Sequence, residues 1–262
     1  MLRQLLAVSL ALAGSCAFAE GRLPAELPPA EESAALAAAA STGATIYRHD
    51  QAASVATDAA RAVRKFKKDK RVKGWVTEQR GDAIVVTFID STPAALYRVP
   101  VTQGVAGEVE IAEAPAPLSA FESGAASARS SALASTFQPC ATTYNPVVLP
   151  GSNASEDWIV YLLPGTTKNT LVPLGGTYRF SIKDNQVASQ RGFTRTCVAL
   201  ETGPNVEALM VTHLLDPVPT EVHVFWSLWA RKPIYISTPP GGTLWSIDGD
   251  KIRLVERKAA TS

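Results

Sequence analysis

Residues 207–238 decide how the chain is read. They run Ala208-Leu209-Met210-Val211-Thr212-His213-Leu214-Leu215, break at Asp216-Pro217-Val218-Pro219, and resume as Thr220-Glu221-Val222-His223-Val224-Phe225-Trp226-Ser227-Leu228-Trp229. Two apolar, β-branched and aromatic runs divided by a double-proline turn predict the two strands of a β-hairpin. Two of the three histidines and two of the five tryptophans lie in this stretch, so a core and any site are expected to pass through it.

The pairing register decides what those histidines do. With a four-residue loop at 216–219, Leu215 faces Thr220, and His213 shares a face with Val222, Val224 and Trp226. Glu221 and His223 then take the opposite face, because neighbours along a strand alternate. A five-residue loop or a bulge reverses the parity and sets His213 beside Glu221 and His223. Two imidazoles and a carboxylate would then hold a divalent transition metal with an open coordination position, or one imidazole would act as a base oriented by the carboxylate. The regular register is the expectation, and it forms no metal site. Glu221 and His223 remain the catalytic or ligand-contacting candidates on its less apolar face. Trp226 and Trp229 cannot share one face of a regular strand. An exposed tryptophan, with Trp245 nearby in sequence, would stack on sugar rings or hold a partner protein.

Around this stretch, residues 136–258 read as a β-rich domain. Runs at 158–163, 177–182 and 243–247 carry strand patterning, and Lys183-Asp184-Asn185-Gln186 and Asp248-Gly249-Asp250 are turn sequences. Cys140 and Cys197, the two cysteines outside the leader, are expected to form a disulfide. Residues 114–135 are Ala/Ser-rich and read as a linker or weak helix.

Residues 45–113 read as a small αβ unit. A helix begins near Asp50, carries Val55, Ala59, Val63 and Phe66 at helical spacing, and ends in a basic run of Lys65, Lys67, Lys68, Lys70 and Arg71. Such a run normally forms a solvated face. Its sharper reading is peripheral contact with an anionic membrane surface or envelope polymer. Beyond Gly74 the period changes to two, giving a hairpin that turns at Arg80-Gly81-Asp82 and a third strand at 95–101. The fold class is therefore α+β: a helix plus β-hairpin unit precedes a mainly antiparallel, sandwich- or barrel-like C-terminal region.

Residues 1–19 have the pattern of a signal peptide: Arg3, an apolar segment, and Ala17-Phe18-Ala19 before Glu20. Periplasmic or extracellular residence follows, with lipidation at Cys16 the less favoured variant because Ala13 stands where a leucine belongs. Residues 20–44, rich in proline and then alanine, are expected to be a flexible spacer. No later stretch is long and apolar enough to span a membrane. Removing residues 1–19 takes Arg3 with it and leaves 24 basic against 24 acidic side chains, a balance that gives nucleic acid no attraction.

No Gly-x-Ser-x-Gly, Gly-x-Gly-x-x-Gly, P-loop, His-Glu-x-x-His or Cys-x-x-Cys motif occurs. The expected function is a non-catalytic binding or structural accessory module of the bacterial cell envelope, without cofactor, recognising a protein or envelope polymer. The alternative is a metal-dependent hydrolase built on His213, Glu221 and His223.

Overall fold

A computed structural model describes residues 23–166, 168 and 170–257. The expected leader, Cys16 and the expected cleavage site before Glu20 lie outside them. The fold is α+β, with fifteen strands in mostly antiparallel sheets and four helices among the described residues.

Helix α1 spans Pro29–Ala62, 34 residues, about 51 Å at 1.5 Å per residue. Residues 29–44, read from sequence as part of a spacer, are its first half. The alanines that looked too small to drive folding are what permit close packing, with Ala39, Gly43 and Ile46 buried. Asp50, expected at a helix start, lies mid-helix and buried. Proline occupies the first helical position with glutamates in the first turn, which suits the orphan amides and dipole of a helix start. The helix breaks at Val63 and resumes as α2 (Arg64–Lys68).

Strands β1 (Gly74–Arg80) and β2 (Ala83–Ile89) form the expected hairpin, with Arg80 paired to Ala83 and Gly81 at φ +58°. That left-handed value is one a glycine adopts freely. β3 (Ala95–Thr102), β4 (Val105–Ala106) and β5 (Glu110–Ala116) complete the first sheet. The second half of α1 covers it through Ala52, Ala56 and Ala60, which pack on Val86, Phe88 and Tyr97.

The weak helix of the Ala/Ser stretch is α3 (Ala120–Ala134). Ser119 Oγ accepts from the Glu122 amide, and Glu122 accepts from the Ser119 amide, closing a capping box. The same carboxylate accepts from Arg98 at 2.8 and 2.9 Å and from Thr87 at 2.7 Å, tying α3 to the first sheet.

A second sheet follows, ordered β10-β9-β7-β6, from β6 (Tyr144–Pro150), β7 (Trp158–Pro164), β9 (Tyr178–Lys183) and β10 (Gln186–Gly192). Its two faces alternate as period two requires. Val148, Val160, Leu162, Phe180 and Ile182 meet α3. Val147, Leu149, Ile159, Tyr161 and Leu163 enter the largest core. Between β9 and β10, Asp184 and Asn185 both have positive φ, the two-residue turn their sequence announces. β8 (Leu171–Val172) and β11 (Leu200–Glu201) form a short ribbon, and Cys140 and Cys197 are disulfide-bonded with Cα atoms 5.4 Å apart.

The opening stretch departs from the hairpin prediction. Residues 209–212 are strand β12 (Leu209–Thr212), but the second run is helix α4 (Glu221–Ala230). β12 pairs in parallel with β13 (Ile234–Thr238), with Leu209 opposite Ile234, so α4 is the crossover that a parallel pair requires. β14 (Thr243–Asp248) and β15 (Lys251–Glu256) extend this third sheet antiparallel. The physical reason lies in burial. Val222, Phe225, Trp226 and Trp229 also recur at i, i+3, i+4 and i+7, and a ten-residue apolar run satisfies either period. α4 is apolar nearly all round because α1 covers one side and β14 another. Gly43 permits that approach: a Cβ there would lie 2.5 Å from the Glu221 carbonyl oxygen and 2.5 Å from Val224 Cβ.

Candidate functional site

The second sheet presents a row of three side chains towards α1. Tyr161 on β7 pairs with Arg179 on β9, which pairs with Arg191 on β10. Opposite them lie the first turns of α1 and the loop 216–220 that leads into α4. Between these walls is a cleft of about 440 Å³. Leu27, Ala35, Ala39, Ile159 and Val218 make its apolar side. Its polar side is the cross-strand row together with Asp216 and Glu221.

Every charged group on that side has a partner. The Tyr161 hydroxyl donates to Glu221 Oε1 at 3.0 Å. Arg179 donates to Glu156 at 3.1 and 3.3 Å. Arg191 donates to Asp216 Oδ2 at 2.6 Å and lies 4.5 Å above the Phe193 ring. Burial raises the Asp216 carboxyl, but the hydrogen bonds from His213 and Arg191 outweigh it and bring it down to about 2. Burial, with the Glu221 charge beside it, pushes the Tyr161 phenol well above its ordinary range.

Behind Asp216 the network continues inward. His213 Nε2 is 2.8 Å from Asp216 Oδ2, and the His213 ring stands edge-on to His223 at 4.6 Å. The two rings are 3% and 2% exposed. The Thr220 amide donates to His223 Nδ1 at 3.0 Å, which leaves the ring proton on Nε2. Burial, then the neighbouring His213, holds His223 neutral, its pKa well below 6.5. The sequence placed these histidines on opposite faces of a regular hairpin. The helix brings them together, and buries His223 where a solvent-facing position was expected.

The His213/Glu221/His223 metal set does not assemble. Glu221 points to Tyr161, the carboxylate beside His213 is Asp216, and His223 Nδ1 is taken by a backbone amide. Among the described residues no group of three or more His, Cys, Asp or Glu side chains is placed to hold a metal ion. An imidazole oriented by a carboxylate is one half of a general-base arrangement. Among the described hydrogen bonds of His213, no hydroxyl, thiol or amine supplies the other half.

Trp226 and Trp245 are not stacking surfaces. Each is 2% exposed in the main core, with its indole N–H donating to Thr177 and Thr238 respectively. Burial wins because a full indole face in water forfeits more than a ligand contact on one side returns. Trp229 remains half-buried, edge-on to Trp226 at 5.4 Å. In the basic segment Lys65, Lys67, Lys68 and Lys70 are exposed. Arg71 is not part of a free basic face: it makes two bonds to Asp69, at 2.8 and 2.6 Å, and Asp69 also accepts from Tyr97.

Sequence reasoning passed over Tyr161, Arg179 and Arg191. The available signal was parity: Arg179 and Ser181 interrupt an otherwise apolar strand on one face, and Ser189 and Arg191 continue that row. Compared with known protein families, curated proteins and solved structures, the chain matches none.

Proposed function

We propose that the chain is an exported, non-catalytic binding module of the bacterial envelope, whose main cleft takes a segment of a partner protein. The observation that carries this is the complete internal pairing of the cleft's charges. Arg179 is held by Glu156, Arg191 by Asp216 and Tyr161 by Glu221. A catalytic acid or base needs its proton affinity poised and unspent, whereas a binding wall gains from groups already fixed in place. An apolar floor beside a preformed polar row suits an apolar side chain and the main-chain amides flanking it. Export is supported by the pattern of residues 1–19 and by the disulfide, a bond at home in an oxidising compartment. The four exposed lysines at 65, 67, 68 and 70 favour a peripheral contact with an anionic surface as a second, salt-sensitive attachment.

A photo-crosslinking residue placed at Thr42, on the cleft wall, tests the main reading. One discrete protein adduct is expected in envelope fractions, absent when the same residue stands at the exposed Asp82 turn. No adduct at 42, or the same adducts at 82, overturns it. The hydrolase alternative is tested by metal content. His213→Ala and His223→Ala should each cost about 1–3 kcal/mol through a cavity and a lost hydrogen bond. Their losses should be less than additive because the rings touch. Stoichiometric transition metal in the purified protein, lost in both variants, would establish a metal site on these histidines and overturn the metal-free reading.

A further inference from the structure

A second cleft, of about 240 Å³, lies on the other half of α1, away from the first. Asp50, Ser54 and Asp58 follow one another along its helical wall at spacings that share a face, with Gln51 beside them at its edge. Asn145 comes from β6, and two half-buried indoles enter from separate elements, Trp75 from β1 and Trp229 from α4. Each packs against a core but stays only partly buried, whereas Trp226 and Trp245 are 2% exposed. Asp50 is 8% exposed and accepts from the Gln51 amide at 3.4 Å, with Asn145 lining the same cleft.

The lining chooses the ligand class. A carboxyl and two planar amides offer donors and acceptors side by side, which is the geometry that meets vicinal hydroxyls in pairs. Indoles add faces and edges against the C–H side of a sugar ring. Formal charge does not favour an ion: Arg61, the cation of the wall, is 4.0 Å from Asp58. Burial holds Asp50 up to about 6, so its carboxyl keeps a share of its proton in mildly acid conditions and donates as well as accepts. We infer that this cleft binds a neutral, polyhydroxylated ligand, a pyranose ring of an oligosaccharide, between Trp75 and Trp229 with Asp50 and Asn145 on its hydroxyls. The site is independent of the peptide cleft and does not rest on that reading.

Calorimetry and tryptophan fluorescence on the mature chain, titrated with triacetylchitotriose, maltotriose and cellotriose, test it. At least one should bind and change the indole emission. Asn145→Ala and Gln51→Ala should each weaken binding about tenfold, the loss of one good hydrogen bond. Ser54→Trp, at an exposed position on the wall, should abolish it by filling the cleft with the core untouched. Ala38→Trp, in the first cleft, should leave it unchanged. Failure of all three sugars to bind overturns the inference, as does binding indifferent to Ser54→Trp. A response to tetramethylammonium alone also overturns it, making the two indoles and Asp50 a cation cage.

Discussion

His49 and Asp50 are consecutive, both buried, and titrate in opposite senses. Burial drives the His49 imidazole down to about 4, the Arg48 charge adding to it, while His49 Nδ1 sits 2.8 Å from Thr77 Oγ1. Burial drives Asp50 up to about 6 against the hydrogen bonds of Gln51 and Asn145. The depressed histidine contributes stability that is present above about 6.5 and lost as pH falls through 4. The raised carboxyl contributes stability that is present below about 3.8 and lost as pH rises through 6. The two offset each other between pH 4 and 6. Asp50→Asn removes the carboxyl's share, so its stability relative to wild type should rise between pH 4 and pH 7, by up to about 3 kcal/mol. His49→Gln should do the reverse, gaining on wild type as pH falls. Melting curves at pH 4, 5.5 and 7 check both signs. A wild type and an Asp50→Asn variant that respond identically to pH would show that Asp50 titrates normally.

At the scale of elements, the contact of α1 with α4 organises both clefts. α4 supplies Glu221 to one and Trp229 to the other, and α1 walls both. Gly43 sets the separation. By helix propensity alone Gly43→Ala should stabilise the protein by about 1 kcal/mol. The methyl would meet a backbone oxygen and a β-branched side chain, neither of which yields cheaply. A net loss of about 2 kcal/mol is therefore expected, in the range of overpacked cores. The sign decides it: chemical denaturation showing a more stable Gly43→Ala protein would mean that the two helices part without cost. The α4 helix also shows why the element was missed. Val222, Phe225, Trp226 and Trp229 spell a helix, and Val222, Val224 and Trp226 spell a strand. Nothing in ten residues separates the readings until the surroundings bury every side of them.

Across the whole molecule, three packed groups share elements rather than standing apart. α1 enters the main core through Ile46 and the first sheet's core through Ala56 and Ala60, and α3 lies against strands of both the first and second sheets. The disulfide joins the approach to β6 with the segment before β11, 57 residues apart. Replacing Cys140 and Cys197 by serine should lower stability by about 4 kcal/mol on the loop-entropy model. Either single should lose nearly as much as the double, since one thiol cannot cross-link. Denaturant midpoints for the three variants check this, and additive single losses would place the effect in local packing around Gly176 and Tyr144 instead.

Local chemistry settled part of this protein from its sequence. The Gly81, Asp184-Asn185 and Gly249 turns, the strands they join and the cysteine pair all follow from residues close in sequence or from a count of two. Tertiary structure settled the rest. It made a helix of 221–230, extended α1 back through the alanines, and sent Trp226 and Trp245 inward. It also set His213 against His223 and aligned Tyr161, Arg179 and Arg191 across three strands. Each of those outcomes turns on which surfaces are buried against which. Burial is a sum over partners distant in the chain, and a short apolar run carries no record of its partners.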